Sequence, residues 1–415
     1  MNMAAERPRV LYIVYWGAAE PLGQSLVLPA VKMLARSGVD LTLVTFEKPA
    51  DLARPDEMAG IERALKQLGV RWIPLRYHKR PKVPATAFDI AHGLARGIAA
   101  RLGARPDIIH ARTFIGGLIG ICLADLLRVK LVYHNEGFYP DEQVDAGVWR
   151  AGSTPHRVAK FLEHQMYSRA DGIVALSHRA KNAIEDIGNV RRKATPVIVV
   201  PSCVDLNHFR FDESKPERKP DLLRFVYNGS VGGRYILDRI GRFVAAASRE
   251  TGGVHLRVLS RAEPELVASM LNTGNLPVDL WSLHSVPYSA VPGELTDHQA
   301  GLSFITQGIS EHGCSPTKIG EYWAVGLPVI TTPNVSYTDD IIRRERVGII
   351  VGGHSDDAYL SAIKELQQLL KDPELATRCR RAAETHYALE PACERQLALY
   401  QDLAGAKLKQ ARRIA

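Results

Sequence analysis

Cysteine is scarce and scattered in this chain. Cys122, Cys203, Cys314, Cys379 and Cys393 are odd in number, far apart and free of any Cys-x-x-Cys pair, so neither a disulfide framework nor a zinc site is indicated. Reduced thiols in a cytosolic setting are the expectation. Long apolar runs are missing as well: no stretch reaches the roughly 18–20 residues that a spanning helix requires. Met1 to Val10 leads straight into Leu11-Tyr12-Ile13-Val14-Tyr15 without the basic-then-apolar order of an export signal. A cytoplasmic protein is expected, peripheral at most, at the inner face of a membrane. The first strand-to-helix loop, Trp16 to Ser25, lacks Gly-x-Gly-x-x-Gly, which argues against a dinucleotide dehydrogenase. No Asp-x-Asp pair stands at a strand end, and Asp339-Asp340 reads as a helix start, so neither a metal nor a resident cofactor is expected.

What is present is ordinary globular material in quantity. The 415 residues are 46% hydrophobic, enough for two domains of about 150–200 residues each. The formal charge of +8 favours anionic partners such as nucleotides or an acidic membrane surface. Nucleic acid is the weaker reading, because basic and aromatic residues do not concentrate in one stripe.

Strand-like runs alternate with helical patterns, as a parallel sheet requires. Strands are expected at 10–15, 40–46, 71–75, 107–110, 130–134, 172–176 and 197–200, with helices at 26–37, 87–102, 116–127, 159–169 and 180–187. This is one complete doubly wound domain. A charged segment with two prolines, Glu213 to Pro220, reads as a linker. The pattern then restarts with strands at 224–227, 255–259, 278–283, 301–305 and 327–331 and helices at 237–249, 263–272 and 316–325. Helices at 358–370, 374–386 and 390–408 follow, and the last stretch carries Lys407, Lys409, Arg412 and Arg413.

Loops at the carboxyl ends of such strands carry the chemistry of open α/β folds. The loop holding Gly23 and Gln24 lets backbone approach a ligand closely. His110 ends the fourth strand. After the fifth, His134-Asn135-Glu136-Gly137-Phe138-Tyr139-Pro140-Asp141-Glu142 through Trp149 mixes ionisable and aromatic groups suited to sugars. In the second half, Asn228-Gly229-Ser230-Val231-Gly232-Gly233-Arg234 supplies a glycine-rich backbone beside one cation, a combination that fits a diphosphate.

The densest motif is Cys314-Ser315-Pro316-Thr317-Lys318-Ile319-Gly320-Glu321-Tyr322-Trp323-Ala324-Val325-Gly326-Leu327-Pro328-Val329-Ile330. Ser315 is placed to cap a helix opened by Pro316. Free N-terminal amides, Thr317 and Lys318 make an anion site, and Glu321, about one turn deeper, can accept two hydrogen bonds from a ribose diol. This order resembles the nucleotide-sugar segment of glycosyltransferase family 4, in its Pro-Thr-Lys subgroup. The resemblance is most specific at 12–49, 107–149, 224–239 and 315–331, and it resembles bacterial polysaccharide-assembly members around Glu20-Pro21-Leu22-Gly23-Gln24-Ser25. Two departures stand out. His134 and Glu136 occupy positions where the family pattern has Asp and Arg. Gly313, not an acid, lies eight residues before Glu321, and Glu311 lies ten before it.

The resemblance implies a GT-B architecture: residues 1–205 as an acceptor-side Rossmann-like domain, 206–389 as a nucleotide-sugar domain facing it across a cleft, and 390–415 as a helix returning to the first domain with a basic tail. It implies a retaining glycosyltransferase that moves a sugar from a nucleotide-diphosphate sugar, as co-substrate, to a saccharide or lipid-linked saccharide acceptor in cell-surface polysaccharide or glycolipid assembly. Gly229, Ser230, Arg234, Ser315, Thr317, Lys318 and Glu321 would bind the donor. Gly23, Gln24, His110, Asp141, Glu142 and Trp149 would lie on the acceptor side, with His134 and Glu136 as catalytic candidates. The alternative is a catalytically silent sugar-nucleotide-binding or assembly protein on the same scaffold.

Overall fold

In a computed structural model of the chain, the described residues are 7–101, 105–212, 222–306, 308, 310 and 313–414, with side chains described through 405. The segment Glu213 to Pro220, Glu311, and the side chains of Lys407, Lys409, Arg412 and Arg413 lie outside the described residues. Two compact units form. The first comprises Met1–Pro140, Arg150–Pro201 and Leu389–Ala415, and the second Asp141–Trp149 and Ser202–Ala388.

The first unit is built on seven strands: β1 Arg9–Val14, β2 Asp40–Glu47, β3 Arg71–Arg76, β4 Ile108–Arg112, β5 Lys130–His134, β6 Gly172–Ala175 and β7 Val197–Val199. All pair in parallel, in the order β3-β2-β1-β4-β5-β6-β7. Near-continuous burial along β1, β4 and β5 explains their unalternating apolar sequences, since helices cover both faces of such a sheet. The order reverses between β1 and β4, which puts a ligand crevice at their carboxyl ends. The helix Phe114–Leu127 lies tight on this sheet because it is glycine-rich: a Cβ on Gly120 would come within 2.4 Å of the Ala111 Cβ. The long helix Leu389–Ile414 completes the unit. Its Leu399 and Leu403 lie where a Cβ on Gly172 of β6 would crowd them, and Arg395 donates to the Val199 carbonyl at 3.0 Å.

The second unit repeats the plan with six parallel strands: β8 Leu223–Asn228, β9 Val254–Leu259, β10 Trp281–His284, β11 Ala300–Ser303, β12 Val329–Thr331 and β13 Gly348–Ile350. Their order is β10-β9-β8-β11-β12-β13, so the reversal falls between β8 and β11. The core of this unit gathers Phe225, Phe243, Ile319, Tyr322, Trp323 and Tyr359, all fully buried.

The structure departs from the sequence expectations in a few places. Residues 278–280 form a short turn and the strand begins only at Trp281, because Pro277 and Asp279 favour a bend. β13 and, beside several shorter helices, the helix Pro55–Gln67 are additions to the expected elements. The first is three residues long, and the second buries only Ile61 and Leu65 on an otherwise charged surface. The helix expected from residue 87 starts at Lys82, since Pro84 is tolerated within a first turn. Among the described residues, no helix is long and apolar enough to cross a membrane.

Candidate functional site

In the second unit the site grows from the end of β8 and the start of the helix Thr317–Ala324. Ser315 does not cap that helix. Pro316 takes the N-cap position with an extended ψ of 121° and no side-chain cap forms, while the Ser315 Oγ accepts the backbone N–H of Ser202 at 3.0 Å. Thr317 opens the helix and is half-buried. The next residue, Lys318, is only 2% exposed, and its Nζ has no hydrogen-bond partner. It lies over the rings of Tyr235 and Tyr227, 3.4 and 4.2 Å from their centroids. Cation–π attraction offsets part of the desolvation of that charge. Burial still pushes the ammonium pKa down to about 7, against the pull of Glu321 and Cys314.

Glu321 lies one turn on, also buried, and one carboxylate oxygen accepts the Asn228 amide at 2.7 Å. Burial raises its pKa to about 7, opposed by Asn228 and Lys318. Tyr322 fixes the strand end by accepting the Asn228 backbone N–H at 2.9 Å. Gly229 follows with φ of +131°, and a Cβ there would stand 3.2 Å from Lys318 Cε, so glycine serves both the turn and the lysine. Ser230 is exposed, and its carbonyl accepts the Tyr227 hydroxyl.

Arg234 does not point freely to water. It pairs with Glu142, and the Ser310 backbone N–H donates to Asp145 at 2.9 Å. The segment Asp141–Trp149, which the sequence pattern assigns to the first half of the chain, thus belongs to the second compact unit through charged contacts that no local pattern reveals.

In the first unit, side chains from β1, β4, β5 and the C-terminal helix form one buried polar chain. The Gln396 amide donates to the Tyr400 hydroxyl at 2.6 Å, Tyr400 meets His110 Nδ1 at 2.7 Å, and His110 Nε2 meets His134 Nδ1 at 3.1 Å. The polarity follows from the amide, whose nitrogen only donates. Tyr400 therefore donates its O–H hydrogen bond to His110 Nδ1, His110 carries hydrogen on Nε2, and His134 is left with hydrogen on its own Nε2. Burial holds both imidazoles well below their usual pKa, so both are neutral. The His134 Nε2 is buried, makes no hydrogen bond and lies 3.3 Å from a Glu136 oxygen. His134 is thus an N–H donor in this arrangement rather than a free base. Glu136 is paired with Arg112, itself buried and 5.4 Å from the Trp16 ring centroid. Thr113, next to β4, has φ of 74°, a strained backbone for a β-branched residue, and its hydroxyl accepts the Gly116 N–H.

The loop after β1 is fastened from within. Glu47 accepts the N–H groups of Ala18 at 2.7 Å and Ala19 at 3.3 Å and the Thr45 hydroxyl at 2.5 Å, and Glu20 accepts Gly17 N–H at 2.9 Å. Gly23 is required by close approach, because a Cβ there would collide with the Gly17 carbonyl. Gln24 is occupied internally, donating to the Ala19 carbonyl at 2.9 Å and Glu57 at 2.6 Å.

The structure therefore brings Gly229, Lys318 and Glu321 together, joins Arg234 to Glu142, and joins His110 to His134 with Glu136 close by. Sequence reasoning misses Arg112, Glu47 and Tyr400, and takes Asn228 only as part of a glycine-rich loop, not as the amide that holds Glu321. Arg112 and Glu47 stand at the ends of recognisable strands, which is signal enough, whereas nothing local marks Tyr400. Among the described residues, no group of three or more His, Cys, Asp or Glu could hold a metal ion.

Residues 23–203 match the glycosyl transferase 4-like domain family. No curated protein matches the sequence. Among solved structures, sucrose-phosphate synthase of Thermosynechococcus elongatus superposes with a TM-score of 0.68 at 17% identity, over 96% of this chain and 100% of that one. HepE of Anabaena, solved with UDP-glucose, gives 0.62 at 14% identity, over 94% and 98%. A putative UDP-N-acetylglucosamine 2-epimerase of Listeria monocytogenes gives 0.56 at 16% identity, over 94% and 95%. At such identities the likeness is one of fold. The chain therefore has the GT-B fold, two parallel-sheet Rossmann-like α/β units, and its residues 23–203 match a glycosyl transferase 4-like domain.

Proposed function

We propose that this protein is a retaining glycosyltransferase that moves a sugar from a nucleotide-diphosphate sugar to an acceptor hydroxyl. The observation that carries the reading is Lys318, a buried ammonium without a hydrogen-bond partner, beside the open helix start at Thr317 and the close backbone of Gly229. A buried cation with no hydrogen-bonded partner is a strong anion receptor, and a diphosphate supplies such a partner. Glu321 would take the ribose diol. Arg234 would leave Glu142 for the phosphates when donor binds, so the Glu142 pairing acts as a stand-in for the anion. As the glycosidic bond to the diphosphate breaks, Lys318 and the helix amides stabilise the departing charge, and the leaving phosphate itself can accept the proton of the acceptor hydroxyl. The His134 N–H is a candidate to orient a donor hydroxyl.

Under this reading residues 206–389 hold the donor and residues 1–205 the acceptor, with the segment Asp141–Trp149 carried on the donor-holding unit. The Gly23, Gln24, Asp141, Glu142 and Trp149 positions would shape the acceptor side, and the context would be surface polysaccharide or glycolipid assembly with a saccharide or lipid-linked acceptor. The polysaccharide-assembly resemblance of residues 12–49 supports that context.

One experiment addresses the function directly. A mass-spectrometric screen of nucleotide sugars against lipid-linked and free saccharides is expected to show nucleotide diphosphate released only with acceptor present and the anomeric configuration kept. Donor converted to another nucleotide sugar without acceptor would favour the epimerase chemistry named for the Listeria protein. Donor binding without turnover across the panel would favour a silent binding protein.

A further inference from the structure

The helix Lys82–Ala100 of the first unit has an outer face of unusual composition. Val83 is 78% exposed, Phe88 57% and Ile98 42%, and Ala87, Ala91 and Ala95 lie exposed between them. A surface helix normally turns charged residues outward. Here the solvent face is largely apolar, and cations are gathered at its start, where Lys79, Arg80 and Lys82 are all exposed. From Arg76 to Pro106 the only acidic residue in the sequence is Asp89.

Asp89 is fully buried and shows that this arrangement is held in place. It accepts the Tyr15 hydroxyl at 2.8 Å, the His78 backbone N–H at 3.0 Å and the His78 ring at 2.6 Å. That clasp fixes the basic segment against the first turns of the helix. The Phe88 ring, for its part, packs edge-on against His78, 5.0 Å between centroids, while the residue stays mostly in solvent. Large apolar side chains held out beside cations, with no exposed carboxylate in the same stretch, match the chemistry of one surface: an anionic bilayer, whose headgroups attract the cations and whose acyl boundary takes the apolar groups.

We infer that the start of this helix, with Lys79, Arg80, Lys82, Val83 and Phe88, is a docking surface for an anionic lipid bilayer. Charge complementarity selects the bilayer over a neutral protein partner, and the exposed valine and phenylalanine select it over nucleic acid, which would need the cations alone. The assignment is separate from the basic C-terminal segment, Lys407 to Arg413, whose sequence carries no aromatic residue. It agrees with a lipid-linked acceptor but does not depend on one, since lipid binding is measured separately from transfer.

The test uses the full chain and vesicles of phosphatidylcholine alone or mixed with phosphatidylglycerol. Sedimentation is expected to show binding to the mixed vesicles that weakens as salt rises, and little to the neutral ones. Val83→Asp with Phe88→Asp should reduce partitioning at least tenfold, and so should Lys79→Glu with Lys82→Glu. Val278→Asp, at an exposed apolar residue of the second unit, should leave it unchanged. In parallel, Phe88→Trp should gain a component of emission, read as the difference from the parent protein, that shifts to the blue on mixed vesicles; this reports the contact even if a double variant fails to fold. Undiminished vesicle binding by the folded Val83→Asp, Phe88→Asp protein would overturn the inference, as would an unshifted difference emission from the Phe88→Trp protein on saturating vesicles. So would binding that is lost to duplex DNA competitor and insensitive to the apolar changes. Calorimetry with UDP-glucose on the same variants keeps this outcome apart from the donor reading, because a failure of docking leaves nucleotide binding intact.

Discussion

Lys318 and Glu321 carry the sharpest consequences at the scale of single residues. Burial lowers the lysine and raises the glutamate to about 7. Above about pH 7 the free protein holds Lys318 neutral, so binding a diphosphate must take up a proton and affinity falls as pH rises. Below about pH 7 Glu321 is protonated, loses its charge-assisted acceptance of the diol, and affinity falls as pH drops. Donor affinity is therefore expected to peak near neutrality, with Lys318→Ala flattening the alkaline limb and Glu321→Gln the acid limb in calorimetry between pH 6 and 9. The glutamate change should also cost about 1.5–3 kcal/mol of donor transition-state binding. A monotonic profile in the parent protein would contradict the roles given to these two groups. A second residue-scale prediction concerns Tyr400. Tyr400→Phe removes the donor that sets the His110 and His134 tautomers, at a stability cost of about 1 kcal/mol. Nitrogen chemical shifts should then show both rings changing tautomer populations, and unchanged shifts would show that the hydrogen-bond chain does not set them.

At the scale of elements, the site depends on where strands end and how closely loops return. Gly229 combines a positive φ with a Cβ position 3.2 Å from Lys318 Cε. Gly229→Ala is expected to weaken donor binding about tenfold while the second unit remains folded, and calorimetry beside circular dichroism checks both halves of that statement. Most of these elements are legible in the sequence. β5 has the bounds that its apolar run predicts, and glycine spacing and the Pro-Thr-Lys run mark Asn228 to Arg234 and Thr317 to Glu321 as site loops. The cap is not legible, because Ser315 could equally satisfy a distant backbone group, and only tertiary structure reveals Ser202 as that group. Glu142 reaching Arg234 and Tyr400 reaching His110 are contacts of long sequence separation, and no local periodicity encodes them.

At the scale of the whole molecule, the chain leaves the first unit at Pro201 and returns to it at Leu389. The returning helix buries Ala392, Leu399, Tyr400 and Leu403. Each buried leucine contributes about 1.5–3 kcal/mol. Truncation before Leu389 is therefore expected to lower the melting transition of the first unit by roughly 10 °C or more, with a smaller effect on the second, as two separated transitions in scanning calorimetry. A single transition moved as a whole would show that the two units do not melt independently. The central claim is donor chemistry at Lys318, and the most direct measurement is acceptor-dependent release of nucleotide diphosphate by the parent protein and by Lys318→Ala. The account predicts release by the parent and a loss of at least a hundredfold in the variant, with circular dichroism unchanged; equal release by both proteins would contradict it.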